Sequence, residues 1–174
     1  MKDKICCFAG YVQDFNNADD EKIKLAIKKQ SKNLIKNHDV KEFYVGAESY
    51  FDSLCIECME EIKKEYPSIK LCLVSTEPSH DIEPDVLNLF NEVVNLNFRK
   101  VSPEYTLFQK NDWLIEKSDF LIAYINNSFS CPLNIVKYKN SKGQLVVSNL
   151  SEYNLERVHI KMASKIKAKV TIEK

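Results

Sequence analysis

A chain of 174 residues is about one domain, and a domain of that size buries roughly 70% of the surface its unfolded form exposes. Apolar residues make up 44% of it and charged residues 29%, the make-up of an ordinary soluble globular protein. Its 25 basic and 25 acidic residues cancel, and this balance speaks against nucleic acid or anionic lipid as a partner.

In chain order, Ile5 to Phe8 reads as a first strand, and Asp19-Asp20-Glu21 opens a helix. The inward face of that helix is Ile23, Ala26, Ile27, Gln30 and Leu34, and the acids at its start suit the helix dipole. Phe43 to Val45 is a second strand. A second helix begins near Asp52, read as its N-cap, and turns Cys55, Cys58, Met59 and Ile62 to one side. Ile69 to Val74 is a third strand, and the proline-containing stretch from Ser75 to Pro84 is a loop. A short helix from Asp85 to Phe90 and a short strand at Val93-Val94 follow.

Pro103 opens a helix to about Lys117, with Leu107, Asn111 and Leu114 on one face. Phe120 to Ile125 is the clearest strand, Pro132 to Lys142 a helix ended by Gly143, and Leu145 to Val147 the last core strand. The strands are continuously apolar rather than alternating, which requires cover on both faces. The pattern predicts a Rossmann-like α/β domain over residues 1–150, three-layered, with a mostly parallel sheet and helices on both faces. Residues 151–174 form a helical extension on the same domain, with Leu155, Val158, Met162 and Ile166 at helical spacing. Its six basic residues against three acids read first as a solvated outer face.

No apolar run approaches the about 20 residues of a membrane span, and Ile5 to Gly10 is too short for a signal-peptide core. The expected location is the cytoplasm, with no membrane contact. Six cysteines, most of them inside apolar runs, are then free thiols that pack as small hydrophobes. Cys55 and Cys58 form a C-x-x-C near a helix start, where thiolates are stabilised, although core packing is the favoured reading of Cys55. His38, His80 and His159 lack metal-ligand spacing to a cysteine pair, so neither a metal nor a resident cofactor is expected.

In an open α/β sheet, ligands bind where strands end and helices begin, because backbone N–H groups and helix dipoles converge there. Three loops qualify: Gly10 to Asn17, Gly46 to Phe51 and Asn126 to Cys131. Gly10 and Gly46-Ala47 permit close approach of the backbone to a ligand, or mark simple strand exits. Asp52 reads as a helix cap before a ligand contact. Asn111, polar on an apolar face, needs a buried hydrogen bond or a polar site to point into.

These loops resemble those of the YpsA-like branch of the SLOG superfamily of Rossmann-like nucleotide-binding domains. The family's Phe-Thr-Gly-His-Arg is matched by Phe8-Ala9-Gly10-Tyr11-Val12. Its Ser-Gly-Gly-Ala-x-Gly-Phe-Asp is matched by Val45-Gly46-Ala47-Glu48-Ser49-Tyr50-Phe51-Asp52. The stretch from Lys110-Asn111 to Ser118-Asp119-Phe120-Leu121-Ile122-Ala123 is similar to the family's Arg-Asn-x-x-Met-Val-Asp-x-Ser-Asp-x-Leu-Ile-Ala. Carried over position by position, the resemblance implies a ligand cradle of Gly10, Tyr11, Gly46, Ala47, Glu48, Phe51, Asp52, Lys110, Asn111, Asn127, Ser128 and Ser130. The departures are Ala9, Tyr11 and Val12 for the family's Thr, His and Arg, and Ser130-Cys131-Pro132 for its Gly-Gly-Thr. Pro132 supplies no N–H for a phosphate.

The resemblance implies a sensor or regulator that binds a nucleotide-like small molecule and self-associates into homo-oligomers. The alternative it implies is an enzyme cleaving an N-glycosidic bond, similar to the cytokinin-activating phosphoribohydrolases or the nucleoside deoxyribosyltransferases. That chemistry needs a carboxylate beside the anomeric carbon, and Glu48 and Asp52 are the candidates. A third reading, motivated by the eroded loops, is a scaffold whose pocket is filled by Tyr11 and Tyr50.

Overall fold

The computed structural model describes residues 2–10, 17–77, 81–97, 102–126 and 145–151. Ten elements follow in the order β1 (Lys4–Gly10), α1 (Asn17–His38), β2 (Val40–Gly46), α2 (Tyr50–Glu65), β3 (Lys70–Ser75), α3 (Pro84–Leu89), β4 (Glu92–Asn95), α4 (Pro103–Lys117), β5 (Phe120–Tyr124) and β6 (Val146–Asn149). The strands form one sheet in the order β4-β3-β2-β1-β5-β6, with every pairing parallel. This is the Rossmann-like three-layer α/β arrangement.

Two packed layers explain why the strands are apolar on both sides. Cys6, Phe8, Phe43, Val45, Phe120 and Ile122 face one cluster with Ile23, Ile27 and Leu34 of α1 and Leu54, Cys55, Cys58, Met59 and Ile62 of α2. Leu89 and Phe90, at the end of α3, pack against the same cluster. Cys7, Ala9, Leu121 and Ala123 face the other side, against Leu114 and Ile115 of α4. Among the described residues, three helices therefore cover one face and α4 the other, as right-handed crossovers require when the chain leaves β4 and returns beside β1. Such parallel strands, buried on both faces, lose their alternation.

Local chemistry sets the boundaries. Helix α1 ends at His38, and Asp39 turns the chain in the left-handed region at φ 56°. Helix α2 is capped by Ser49, three residues before the expected Asp52. Ser49 Oγ accepts the Asp52 N–H at 3.0 Å, and the Asp52 carboxylate accepts the Ser49 N–H at 3.0 Å. Asp52 is thus the third helical residue of a reciprocal capping box, in which the hydroxyl and not the carboxylate starts the helix. The helix expected over 132–142 and the extension at 152–174 lie outside the described residues. No helix among the described residues is long and apolar enough to cross a membrane.

Candidate functional site

A parallel sheet delivers all its strand ends to one edge. Gly10 pairs with Tyr124 and Gly46 with Val74, so the first, second and fifth strand exits stand side by side on that rim. From β1 the sheet runs through β2 and β3 to β4 in one direction, and through β5 to β6 in the other. The strand order therefore reverses between β1 and β5, and an open α/β sheet forms its crevice at such a switch point. The cleft there, about 500 Å³, is lined by Asp19, Lys22, Ile23 and Ala26 of α1, by Tyr124 and Asn126 at the end of β5, and by Leu150 and Ser151 after β6.

Behind the second loop lies a buried charge cluster. Lys110 of α4, 1% exposed, extends its ammonium between the carboxylates of Glu48 and Asp52. Its Nζ donates to Glu48 Oε2 and, at 3.2 Å, to Asp52 Oδ2. The other Glu48 oxygen accepts the Thr76 N–H at 2.7 Å and the Thr76 hydroxyl at 3.3 Å. Asp52 Oδ2 also accepts the Glu48 N–H at 3.2 Å. Burial raises the Glu48 pKa, but the Lys110 charge and the hydrogen bonds outweigh it, and the carboxyl is held below its ordinary value. Burial likewise lowers Lys110, and the Asp52 and Glu48 charges more than reverse this, keeping the ammonium protonated.

Gly46 admits this cluster. A Cβ there would stand 2.5 Å from Asp52 Oδ2 and 2.7 Å from Lys110 Nζ. Its missing side chain makes room for the protein's own ion pair. Gly10 is similar: its Cβ would lie 2.8 Å from the fully buried Phe51 ring. Phe51 in turn packs at 6.2 Å between ring centroids against Tyr124 in the cleft wall.

Of the sequence-based candidates, Gly46, Glu48, Asp52 and Lys110 come together in the charge cluster, while Gly10 and Phe51 meet beside the cleft. Ala47 is half-buried on the second loop, and Asn111 is buried on α4, at 8% exposure. Tyr11, Asn127, Ser128 and Ser130 lie outside the described residues. Tyr50, considered as a plug, donates its hydroxyl to Asp20 Oδ2 at 2.5 Å. Sequence reasoning included Asn126 at the start of its third loop but passed over Asp19, Lys22 and Tyr124. The available signal was position: the last residues of the clearest strand and the first turn of the helix following β1 must face the switch point.

The C-x-x-C thiols are packing groups. Cys55 and Cys58 are both buried, and desolvation pushes Cys55 well above the ordinary thiol range and Cys58 to about 12. These are not the lowered values that thiol redox chemistry requires.

No family model and no curated protein matches the chain. Among solved structures it is similar to DNA processing protein A from Helicobacter pylori, described for its single-stranded DNA binding mode. The TM-score is 0.55 at 11% identity, over 92% of this chain and 74% of that one. The likeness shows a shared Rossmann-like fold. It lends nothing to the YpsA-like branch. It also corrects the expectation that balanced charge speaks against nucleic acid, because the neighbour on this fold is described as binding DNA. Net charge is a sum over the molecule and carries no information about any one face. Here Lys24, Lys28 and Lys32 of α1 are cancelled by Glu57, Glu61 and Glu65 of α2, far from deciding what the rim presents.

Proposed function

We propose that the domain is a binding module for a nucleotide or nucleotide-derived ligand, held in the switch-point cleft and serving a sensory or regulatory role. The observation that carries this reading is the cleft itself. It lies at the fork between β1 and β5, and its size is within the range of small-molecule sites. The state of the carboxylates supports binding over catalysis. Glu48 and Asp52 are held by Lys110 and by backbone N–H groups, so neither stands ready to attack an anomeric carbon. An N-glycosidic hydrolase would need one of them released.

A second reading, single-stranded DNA as the ligand, is favoured by the Helicobacter neighbour. It draws on the same nucleotide chemistry in polymeric form. One panel tests both. Calorimetry and thermal unfolding are run with mononucleotides, dinucleotides and ADP-ribose, and fluorescence anisotropy with a labelled single-stranded oligonucleotide. The expected result is a saturable response to at least one small ligand, worth about 2.7 kcal/mol of stability at a hundredfold excess over Kd. A response to the oligonucleotide alone selects the second reading. Silence across the panel overturns both.

A further inference from the structure

A nucleotide has two recognisable ends, a charged phosphate chain and an uncharged nucleoside, and the cleft is not neutral between them. A helix N-terminus beside a switch point ordinarily favours phosphate, because its free N–H groups and dipole attract negative charge. The first turn of α1 instead carries Asp19 and Asp20. Asp19 lines the cleft, and Asp20, 6% exposed, stands directly behind it in sequence. A phosphate at this helix end would meet carboxylates, and Lys22, the one cation among the described residues of the lining, is already drawn toward Asp19 at 3.8 Å.

The rest of the lining suits a flat ring. Tyr124 is half-buried, with Ile23, Ala26 and Leu150 as apolar neighbours in the lining. Its ring leans on Phe51, tilted by 31°. Phe51 is fully buried and occupies the space that a side chain at Gly10 would fill. The aromatic wall is therefore backed by close packing and is set before any ligand arrives. The backbone beyond it is fixed too: Asn149 Oδ1 accepts the Ile125 N–H at 2.9 Å, and Asn149 Nδ2 donates to the Ile125 carbonyl at 3.0 Å.

Resting on the nucleotide-binding reading, we infer that the cleft recognises the nucleoside end of its ligand, with the base against the face of Tyr124, and that phosphate groups contribute little. Phe51 and Gly10 act as positioning residues for Tyr124. Stacking of a base on an aromatic side chain is worth about 1–3 kcal/mol, so loss of the ring weakens binding about tenfold or more.

The test uses the full chain and calorimetric titration of four nucleosides, their 5′-mono- and triphosphates, and inorganic pyrophosphate as the phosphate-only probe. Each is measured at low and high salt. The expected outcome is that a nucleoside and its phosphorylated forms bind with similar Kd, nearly independent of salt, and that pyrophosphate does not bind. Tyr124→Ala weakens nucleoside binding about tenfold or more, while Tyr124→Phe, which keeps the ring, retains it. Affinity that climbs with each phosphate and falls steeply with salt, unchanged in Tyr124→Ala, overturns this inference and leaves the nucleotide proposal standing. Equal loss in Tyr124→Phe overturns the stacking role. That variant also keeps the test decisive should Tyr124→Ala fail to fold. Binding of neither nucleosides nor nucleotides overturns both proposals.

Discussion

Lys110 carries a full charge into the interior, and the energetics of the second loop turn on it. Two carboxylates, three backbone N–H groups and a hydroxyl converge within the same small volume. Removing the cation alone leaves the buried Asp52 carboxylate beside that of the more exposed Glu48, so Lys110→Met is expected to cost about 3 kcal/mol in urea unfolding. Adding Glu48→Gln should restore part of that loss, because one of the opposed charges disappears. Acid has a related effect. Since the folded Glu48 carboxyl sits below its ordinary value, its contribution is present at neutral pH and is lost as pH falls below about 4.5 and through the folded value. Stability of the parent chain should drop over that range, and Glu48→Gln should drop less. Gly46→Ala, which forces a methyl against the Asp52 carboxylate and the Lys110 ammonium, should destabilise by about 1–3 kcal/mol.

Helices α1 and α2 lie side by side with their exposed edges laced by like-spaced pairs. Lys24 meets Glu57 at 2.7 Å, Lys28 meets Glu61 at 2.9 Å, and Lys32 meets Glu65 one turn further on. Exposed pairs add little stability, but repeated at every turn they favour one register of helix against helix. Lys28→Glu should lower the melting temperature, Glu61→Lys in the same chain should restore it, and the restoration should shrink in high salt. Thiol chemistry gives an independent check on the buried face. Cys6, Cys7, Cys55, Cys58 and Cys72 should resist alkylation at neutral pH until the chain is denatured, as read by peptide mass spectrometry. Most of this level was legible in the sequence: the inward faces of α1 and α2 follow from apolar spacing. The start of α2 was misread because Ser and Asp three residues apart are both good caps, and only the hydrogen bonds reveal which closes the first turn.

For the molecule as a whole, continuous apolar strands separated by helical segments were enough to specify a parallel sheet covered on both sides. The site was less legible, for a physical reason. Local patterns report burial, whereas a cleft is made by residues far apart in the chain. Lys110 sits in a helix whose sequence resembles a family motif, yet its partners, Glu48 and Asp52, lie about sixty positions earlier. Tyr124 looks like the end of an ordinary core strand until α1 and Leu150 are placed beside it. Total charge misled in the same way, since it erases the arrangement of its parts.

The strand order has a kinetic corollary. β5 lodges beside β1 only after the chain has travelled out through β2, β3 and β4 and come back, so this pairing joins residues more than a hundred positions apart. Such distant contacts form slowly. Both walls of the cleft depend on them, and a ligand held there meets its pocket only when that last seam has closed. A cognate ligand should therefore slow the unfolding limb of a stopped-flow chevron while leaving the refolding limb where it was.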